Sequence, residues 1–445
     1  MFLTGGYRLP SRAPNLTRYL ATAPDSLFAG YAIVTAFSTY FCMYAFRKPF
    51  TAATYETLDT FAGLDLKTAL VISQIIGYTL SKIAGIKYCS ELTRPRRAMA
   101  LVLLILWAQT ALLIFAMVPA QWKIPTILLN GLPLGMIWGL VVRYLEGRRL
   151  SELVLAGLSC SYILASGVVK DVGRLWMHYG ISEEWMPFVT GTCFLPAYLI
   201  SVWMLNQIPE PTDLDIASRT ERPTMDRTAR RQFVKQFWPG LVLLFILYFF
   251  LTAYRDFRDN YGIEIFQAMG YADTPAIFTR TELPVAFGVV LTLAALNLIK
   301  NHRFGFSAVL ALMTSGLLLM TVATLLFDSG IMKDQQLWWM VWVGLGSYLA
   351  YVPFGTALFE RLIASTRFRG NAVFAIYIAD SIGYSGSVAV QIYKDLFQAD
   401  MNRFEFFRSF TYVLSLIGTL LLIAACCYFF PKTSPLSKSP DHDGS

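Results

Sequence analysis

Charged residues are scarce in this 445-residue chain, and their scarcity excludes an ordinary soluble domain. Asp, Glu, Lys and Arg make up 15% of the sequence, whereas soluble proteins carry roughly a quarter. Hydrophobic residues make up 56% of the chain, and they fall in long runs. Since an apolar run of about 20 residues spans a bilayer as a helix, the sequence predicts a polytopic α-helical membrane protein.

Histidine and cysteine are also few. The six cysteines form no CxxC pair, which argues against a zinc site and a disulfide framework. The three histidines, His178, His302 and His442, lie at predicted helix ends or in the C-terminal tail. The sequence contains no HExxH motif, no paired Ser/His and no GxxxxGK[ST] loop. We therefore expect no metal, nucleotide or other cofactor, and no enzymatic activity.

Twelve apolar runs predict twelve transmembrane helices, of which the fifth, seventh and eleventh are the most polar. Their approximate limits are 27–50, 67–88, 98–119, 124–145, 151–173, 185–206, 238–259, 276–299, 305–327, 337–360, 371–395 and 407–430. Residues 1–26 contain no apolar core typical of a cleavable signal peptide, so the first helix is expected to direct insertion.

Lysine and arginine predict the orientation of these helices. They concentrate in every second loop, which places both termini in the cytoplasm. This asymmetry accounts for the net charge of +8, so we expect no nucleic-acid partner. The domain prediction is a cytoplasmic N-terminal segment, a six-helix bundle, a basic linker, a second six-helix bundle and a cytoplasmic tail. Their limits are 1–26, 27–206, 207–237, 238–430 and 431–445.

The two predicted bundles repeat one short pattern that ends in an arginine. Residues 40–47 (YFCMYAFR) and 248–255 (YFFLTAYR) share tyrosine, phenylalanine, alanine, an aromatic residue and arginine at the same offsets. Arginine within a membrane is costly and is normally functional. A matched pair in two halves suggests one central anion site where the halves meet. A Lys-Asp pair also recurs, as Lys170-Asp171 and Lys394-Asp395.

Four local motifs resemble those of one transporter family. Residues 44–50 resemble its first-helix motif, residues 81–96 its second helix and following loop, residues 351–353 its Tyr-Gly-Pro, and residues 383–389 its Gly-Tyr-x-Gly-Gly-Ser-Val-Ala. The family is the organophosphate:phosphate antiporter family of the major facilitator superfamily. The resemblance covers roughly residues 27–430 and implies twelve helices in two pseudo-symmetric bundles, which exchange a phosphorylated metabolite for phosphate by rocking around one cavity.

The chain departs from the family pattern at several positions. Glu91-Leu92 stand where the family has Asp-Arg, and Ser161-Tyr162 occupy a region where its phosphate antiporters often have histidine. Acidic residues also surround the second arginine, namely Asp256 and Asp259. These departures leave two alternatives open, which are proton-coupled transport of another organic anion and a transporter-like sensor of a phosphorylated ligand.

Arg47 and Arg255 are the first candidates for substrate binding, because a guanidinium matches phosphate oxygens with paired, charge-assisted hydrogen bonds. The resemblance implies that both hold the substrate phosphate, and it adds Lys48 and Lys82 as supporting cations. The alternative for each cation is snorkelling to the interface or a structural ion pair. Tyr44 and Tyr351 are the next candidates, because their hydroxyl groups could donate hydrogen bonds to substrate oxygens, although a packing role is the common outcome for a tyrosine.

Asp380 and Glu282 are the candidates for proton coupling. Both lie within predicted spans, where desolvation penalises the charged form of a carboxyl group. The alternative is a fixed ion pair, of Glu282 with Arg280 or of Asp380 with Arg255. We expect a monomeric transporter of a small anion in the lipid bilayer of a bacterial inner membrane.

Overall fold

The computed structural model describes most of the chain. The described residues are 15–55, 63–145, 151–211, 227–271, 273–332, 335–366, 368 and 372–433. Much of the predicted N-terminal segment, linker and tail lies outside them.

The described residues are built from α-helices. Their bounds are α1 Asn15–Thr22, α2 Asp25–Tyr44, α3 Leu66–Glu91, α4 Arg94–Met117, α5 Ala120–Leu145, α6 Ser151–His178, α7 Met186–Leu205, α8 Arg227–Asn260, α9 Gly262–Ala268, α10 Ile277–Asn297, α11 His302–Asp328, α12 Gln336–Thr356, α13 Leu358–Thr366, α14 Ala372–Phe397 and α15 Arg403–Phe429. Short 3-10 helices follow α2 at Pro49–Ala52 and α15 at Phe430–Lys432.

Each of the twelve predicted spans overlaps one of these helices, and the tenth extends over both α12 and α13, which confirms the predicted all-α membrane fold. Within the described part of the chain, nine helices are long and apolar enough to cross a membrane: α2, α4, α5, α7, α8, α10, α11, α12 and α15. The other three predicted spans correspond to the more polar helices α3, α6 and α14, of which α6 and α14 are the predicted fifth and eleventh spans.

Three predicted spans differ clearly from the observed helices. The first was predicted to end near residue 50, but α2 ends at Tyr44 and a separate 3-10 helix begins at Pro49. α8 begins at Arg227, eleven residues before the predicted start, because the polar residues before Trp238 include no glycine or proline to stop a helix. With 34 residues it is roughly 50 Å long, which exceeds the hydrocarbon thickness of about 30 Å. The predicted tenth span is interrupted at Ala357, where α12 ends and before α13 begins at Leu358, although the Ala357 amide still donates to the Pro353 carbonyl at 3.0 Å.

The chain divides into two compact units. Unit 1 comprises residues 1–220, 259–286 and 392–399, and unit 2 comprises residues 221–258, 287–391 and 400–445. The end of α8 and the first half of α10 therefore belong to unit 1, although most of α8 belongs to unit 2.

Glycines allow helices to approach closely in each unit. In unit 1, a methyl group on Gly131 of α5 would lie 2.6 Å from the Gln74 carbonyl oxygen of α3, and one on Gly135 would lie 2.4 Å from the Tyr78 carbonyl oxygen. In unit 2, a methyl group on Gly386 of α14 would lie 2.4 Å from the Phe249 carbonyl oxygen of α8. Close backbone contact of this kind is typical of membrane helices, whose association depends on van der Waals packing.

Candidate functional site

The first repeated arginine lies in the turn that ends α2. The Arg47 and Lys48 amides donate to the Tyr44 carbonyl, at 3.0 and 2.9 Å, and Pro49 then begins the 3-10 helix. Proline fits this first position because its missing N–H would have no helical partner there. The chain direction changes at this point, so Arg47 stands at a helix end and not on a continuous helical face.

Two buried amide side chains hold this turn in place. Gln74 donates to the Arg47 carbonyl oxygen at 2.9 Å and to Asn130 Oδ1 at 2.9 Å. Asn130 in turn donates to the Phe46 carbonyl at 3.0 Å and to the Ala108 carbonyl at 3.1 Å. Because buried polar groups are costly when they lack partners, this network specifies one arrangement of the turn relative to α3 and α5.

The Arg47 guanidinium lies over an aromatic face. Its Cζ is 4.0 Å from the centre of the Tyr78 ring and 5.6 Å from that of Tyr44. The predicted cation Lys82 lies one turn further along α3, with its Nζ 5.6 Å from the same Tyr78 ring. The structure therefore brings Arg47, Lys82 and Tyr44 together around Tyr78, where cation–π attraction helps to hold both cations at the ring.

Lys48 belongs to a separate buried charge network within unit 1. Its Nζ lies 2.5 Å from Asp259 Oδ2 and donates to Asn260 Oδ1 at 2.8 Å. Lys170 Nζ lies 2.7 Å from the other carboxylate oxygen of Asp259, to which Ser166 also donates. Lys48 and Lys170 are 6% and 1% exposed. Two buried ammonium groups thus share one carboxylate, which leaves an excess of positive charge among these three side chains.

The second repeated arginine lies within unit 2 and also covers a tyrosine. Arg255 Cζ is 4.3 Å from the centre of the Tyr351 ring, and its Nη2 lies 2.6 Å from Asp256 Oδ1. Tyr351 stacks on Tyr248 with ring centres 5.1 Å apart, and the Tyr248 hydroxyl donates to Asp380 Oδ1 at 2.8 Å. A line of contacts therefore runs from the arginine through two aromatic rings to a carboxylate.

The two units repeat more than the arginines. Tyr40 and Tyr248 each precede their arginine by seven residues, and each packs on an aromatic residue of α5 or α12. The partner of Tyr40 is Trp138, with ring centres 4.8 Å apart. The Tyr248 ring also lies 4.6 Å from Phe354. In each unit, the segment that carries the arginine is thus fixed by aromatic packing against one corresponding helix.

Glu282, the other proton-coupling candidate, is buried near the start of α10 in unit 1. A methyl group on Gly167 of α6 would lie 3.0 Å from its Cγ, so the side chain packs against α6. Arg280, its predicted ion-pair partner, is exposed. Among the residues that the structure describes, no cluster of three or more His, Cys, Asp or Glu side chains could hold a metal ion.

Comparison with sequence families shows to which family the chain belongs. The family described as a family of unknown function (DUF5690) matches residues 49–432, which is most of the sequence. The chain belongs to this family. No curated protein matches the DUF5690 chain.

Solved structures give the fold of this DUF5690 protein. It is similar to a D-xylose–proton symporter, with a TM-score of 0.63, 12% identity, and coverage of 92% of this chain and 99% of the other. It is also similar to a bacterial homologue of the human lysosomal transporter Spinster in an inward-facing, unoccupied conformation, with a TM-score of 0.61, 12% identity, and coverage of 93% and 100%. The nucleoside transporter NupG gives a TM-score of 0.58, with 12% identity and coverage of 90% and 99%. These likenesses show the major facilitator fold, and together with the nine described helices that are long and apolar enough to cross a membrane they indicate a multi-pass membrane protein.

The sequence did not single out every residue that positions the site in this DUF5690 chain. Gln74 and Asn130 were missed, and so were the partners of Lys48. An amide within a predicted membrane helix was the available signal, since such a side chain must find buried partners. Gly383 and Gly386, which carry part of the family resemblance, pack α14 against α8. The binding and proton-coupling roles of the eight candidate residues stay predictions.

Proposed function

We propose that this DUF5690 protein is a secondary active transporter that works by alternating access. Its substrate is a small anionic metabolite, and a phosphorylated metabolite is the first choice. The observation that carries the proposal is the repeated arrangement of Arg47 over Tyr78 and Arg255 over Tyr351. A guanidinium that lies on an aromatic face keeps its N–H groups in one plane, which suits an anionic oxygen group.

The similar structures with the major facilitator fold support the transport part of this proposal, since they are a symporter, a bacterial homologue of a lysosomal transporter and a nucleoside transporter. The charge of the site supports the anionic part. Beside Arg47, Lys82 adds a second cation near the same ring, while Lys48 lies in the network that has two lysines for one carboxylate. We also propose that the protein resides in a bacterial inner membrane, as a monomer with both termini in the cytoplasm.

A second candidate is a proton-coupled transporter of another organic anion, and a specific contact favours it. Asp380 is linked through Tyr248 to Tyr351, the tyrosine beneath Arg255. A proton on this carboxyl group would change the hydrogen bonding of the residues next to the proposed anion ligand. A third candidate, a membrane sensor, would bind its ligand and give little flux.

The test is counterflow in proteoliposomes with the purified full-length protein. Inorganic phosphate, a panel of phosphorylated metabolites and unphosphorylated organic acids serve as substrates. We expect counterflow of at least one anion, and loss of both its binding and its counterflow in Arg47→Lys and in Arg255→Lys, because an ammonium cannot replace a bidentate fork. Ligand-induced thermal stabilisation measures binding independently of flux.

Arg303→Lys is the matched control, because Arg303 also lies over an aromatic ring, with its Cζ 4.9 Å from the Phe430 ring centre. It should transport as the parent protein does. Unchanged anion affinity in both test variants would contradict the assignment of the two arginines. Binding without counterflow in the parent protein would favour the sensor instead.

A further inference from the structure

A basic groove lies at the N-terminal end of α8, just before the apolar part of this helix. Its volume is about 560 Å³, and it opens between the first turns of α8 and the start of α14. Its lining residues are Arg230, Arg231, Val234, Lys235, Trp238 and Phe374. All of them belong to unit 2, and none of them takes part in the site described above.

Three cations and no acid occur among these six lining residues. Arg230, Arg231 and Lys235 are exposed, and the spacing of four residues places Arg231 and Lys235 on neighbouring positions of the helix surface, while Arg230 lines the same groove. Arg230 Cζ lies 5.7 Å from the centre of the Phe374 ring, which anchors one guanidinium at the α14 side. The groove therefore presents concentrated positive charge beside aromatic surface, a combination that suits an anionic group with an apolar attachment.

An exposed apolar column continues from this groove along α8. Val234, Trp238, Val242 and Ile246 are spaced by four residues, and their exposed fractions are 39%, 58%, 43% and 41%. Residues at this spacing lie above one another on one helix face. Because α8 is longer than the bilayer is thick, its basic first turns can lie at headgroup level while the column lies in hydrocarbon. Trp238 stands at the transition, as tryptophan commonly does at membrane interfaces.

We propose that this groove is a binding site for one anionic phospholipid. Its phosphate group lies among Arg230, Arg231 and Lys235, and an acyl chain follows the column from Trp238 onward. A soluble anion would use only the cations, whereas a lipid matches both the charge and the adjoining apolar surface. Each basic residue near a membrane surface contributes about 1 kcal/mol toward anionic lipid, so the three together correspond to an affinity difference of roughly a hundredfold.

The test uses the full-length protein in a mild detergent, titrated with phosphatidylglycerol, phosphatidylcholine or inorganic phosphate. Native mass spectrometry counts retained lipids, and thermal unfolding measures stabilisation. We expect one tightly retained phosphatidylglycerol, weak binding of phosphatidylcholine, and no effect of phosphate at equal concentration. The variant Arg230→Gln/Arg231→Gln/Lys235→Gln should bind phosphatidylglycerol roughly a hundredfold more weakly, while its unfolding temperature without lipid stays unchanged.

A matched control removes the same charge from exposed positions outside the groove, as Arg96→Gln/Lys300→Gln/Lys432→Gln. This control should retain the lipid like the parent protein. Equal loss in both triple variants would show that net charge, and not the groove, attracts the lipid. Equal binding of phosphatidylcholine, or displacement of phosphatidylglycerol by millimolar inorganic phosphate, would also overturn the proposal. Trp238→Ala leaves the charge intact and should weaken retention of long-chain more than short-chain phosphatidylglycerol.

Discussion

At the residue scale, the Asp380 carboxylate is the group with the clearest route to the proposed anion site. It accepts a hydrogen bond from Tyr248, whose ring stacks on Tyr351 beneath Arg255. A protonated carboxyl group gains a donor and keeps some acceptor capacity, so the Tyr248 hydroxyl could then accept a hydrogen bond from Asp380 instead of donating one. Protonation of Asp380 and anion binding at Arg255 would then affect the same pair of aromatic rings.

Replacement of this carboxyl group separates the two transport candidates. In Asp380→Asn, we expect counterflow to persist while accumulation driven by an imposed proton gradient falls to background, because the amide cannot carry the proton. Asp328→Asn is the control, since Asp328 also accepts from a tyrosine, Tyr412, at 2.8 Å but at an exposed position. Proton-driven accumulation equal to that of the parent protein in Asp380→Asn would exclude Asp380 as the coupling residue.

At the scale of the helices, the backbone contact between α3 and α5 positions the Arg47 turn. Gly131 and Gly135 allow α5 to reach the part of α3 that carries Gln74 and Tyr78. Gln74 then donates a hydrogen bond to the Arg47 carbonyl oxygen, and the Tyr78 ring lies under the Arg47 guanidinium. The close approach of α3 and α5 thus determines the position of Arg47.

An added methyl group where α3 and α5 cross tests whether their close contact positions Arg47. In Gly131→Ala the new carbon would lie 2.6 Å from the Gln74 carbonyl oxygen and 3.0 Å from the Tyr78 amide nitrogen, and no side-chain rotation can relieve a backbone contact. We expect a loss of stability of about 1–3 kcal/mol and weaker anion-induced thermal stabilisation. Gly355→Ala is the control, because its added carbon would meet no atom within 4 Å other than its chain neighbours and the backbone of its own helix. An unfolding temperature and anion response that match this control would disprove the role of the crossing.

The sequence predicted helices better than it predicted their contacts. Apolar runs located the membrane helices, because burial in lipid requires a continuous stretch of suitable length. The early start of α8 and the interruption at Ala357 escaped prediction, since hydropathy does not indicate where the helical backbone begins or breaks. In the site, the repeat revealed Arg47 and Arg255, but Gln74 and Asn130 gained their significance only from partners in other helices.

At the scale of the whole chain, residues 259–286 belong to unit 1 although they follow a segment of unit 2. Asp171, from the recurring Lys-Asp pair, contributes to this attachment. Its carboxylate accepts from the Phe278 amide at 3.2 Å, the Thr279 amide at 2.7 Å and the Thr279 hydroxyl at 2.6 Å. The second copy of the pair behaves alike, since Asp395 accepts from the Asp65 amide at 3.3 Å, just before α3.

Because these contacts satisfy the first amides of α10, their removal should loosen the start of that helix without unfolding the protein. In Asp171→Ala we expect the Phe278 and Thr279 amides to exchange hydrogen roughly ten to a hundred times faster, since hydrogen bonds to a charged acceptor contribute about 1.5–3 kcal/mol each. Hydrogen-exchange mass spectrometry of the purified protein measures this directly. Asp400→Ala, at an exposed position, should leave the same peptides unchanged. If both variants exchange at the parental rate, other packing in unit 1 holds α10 in place, and the Lys-Asp pair has no part in the attachment.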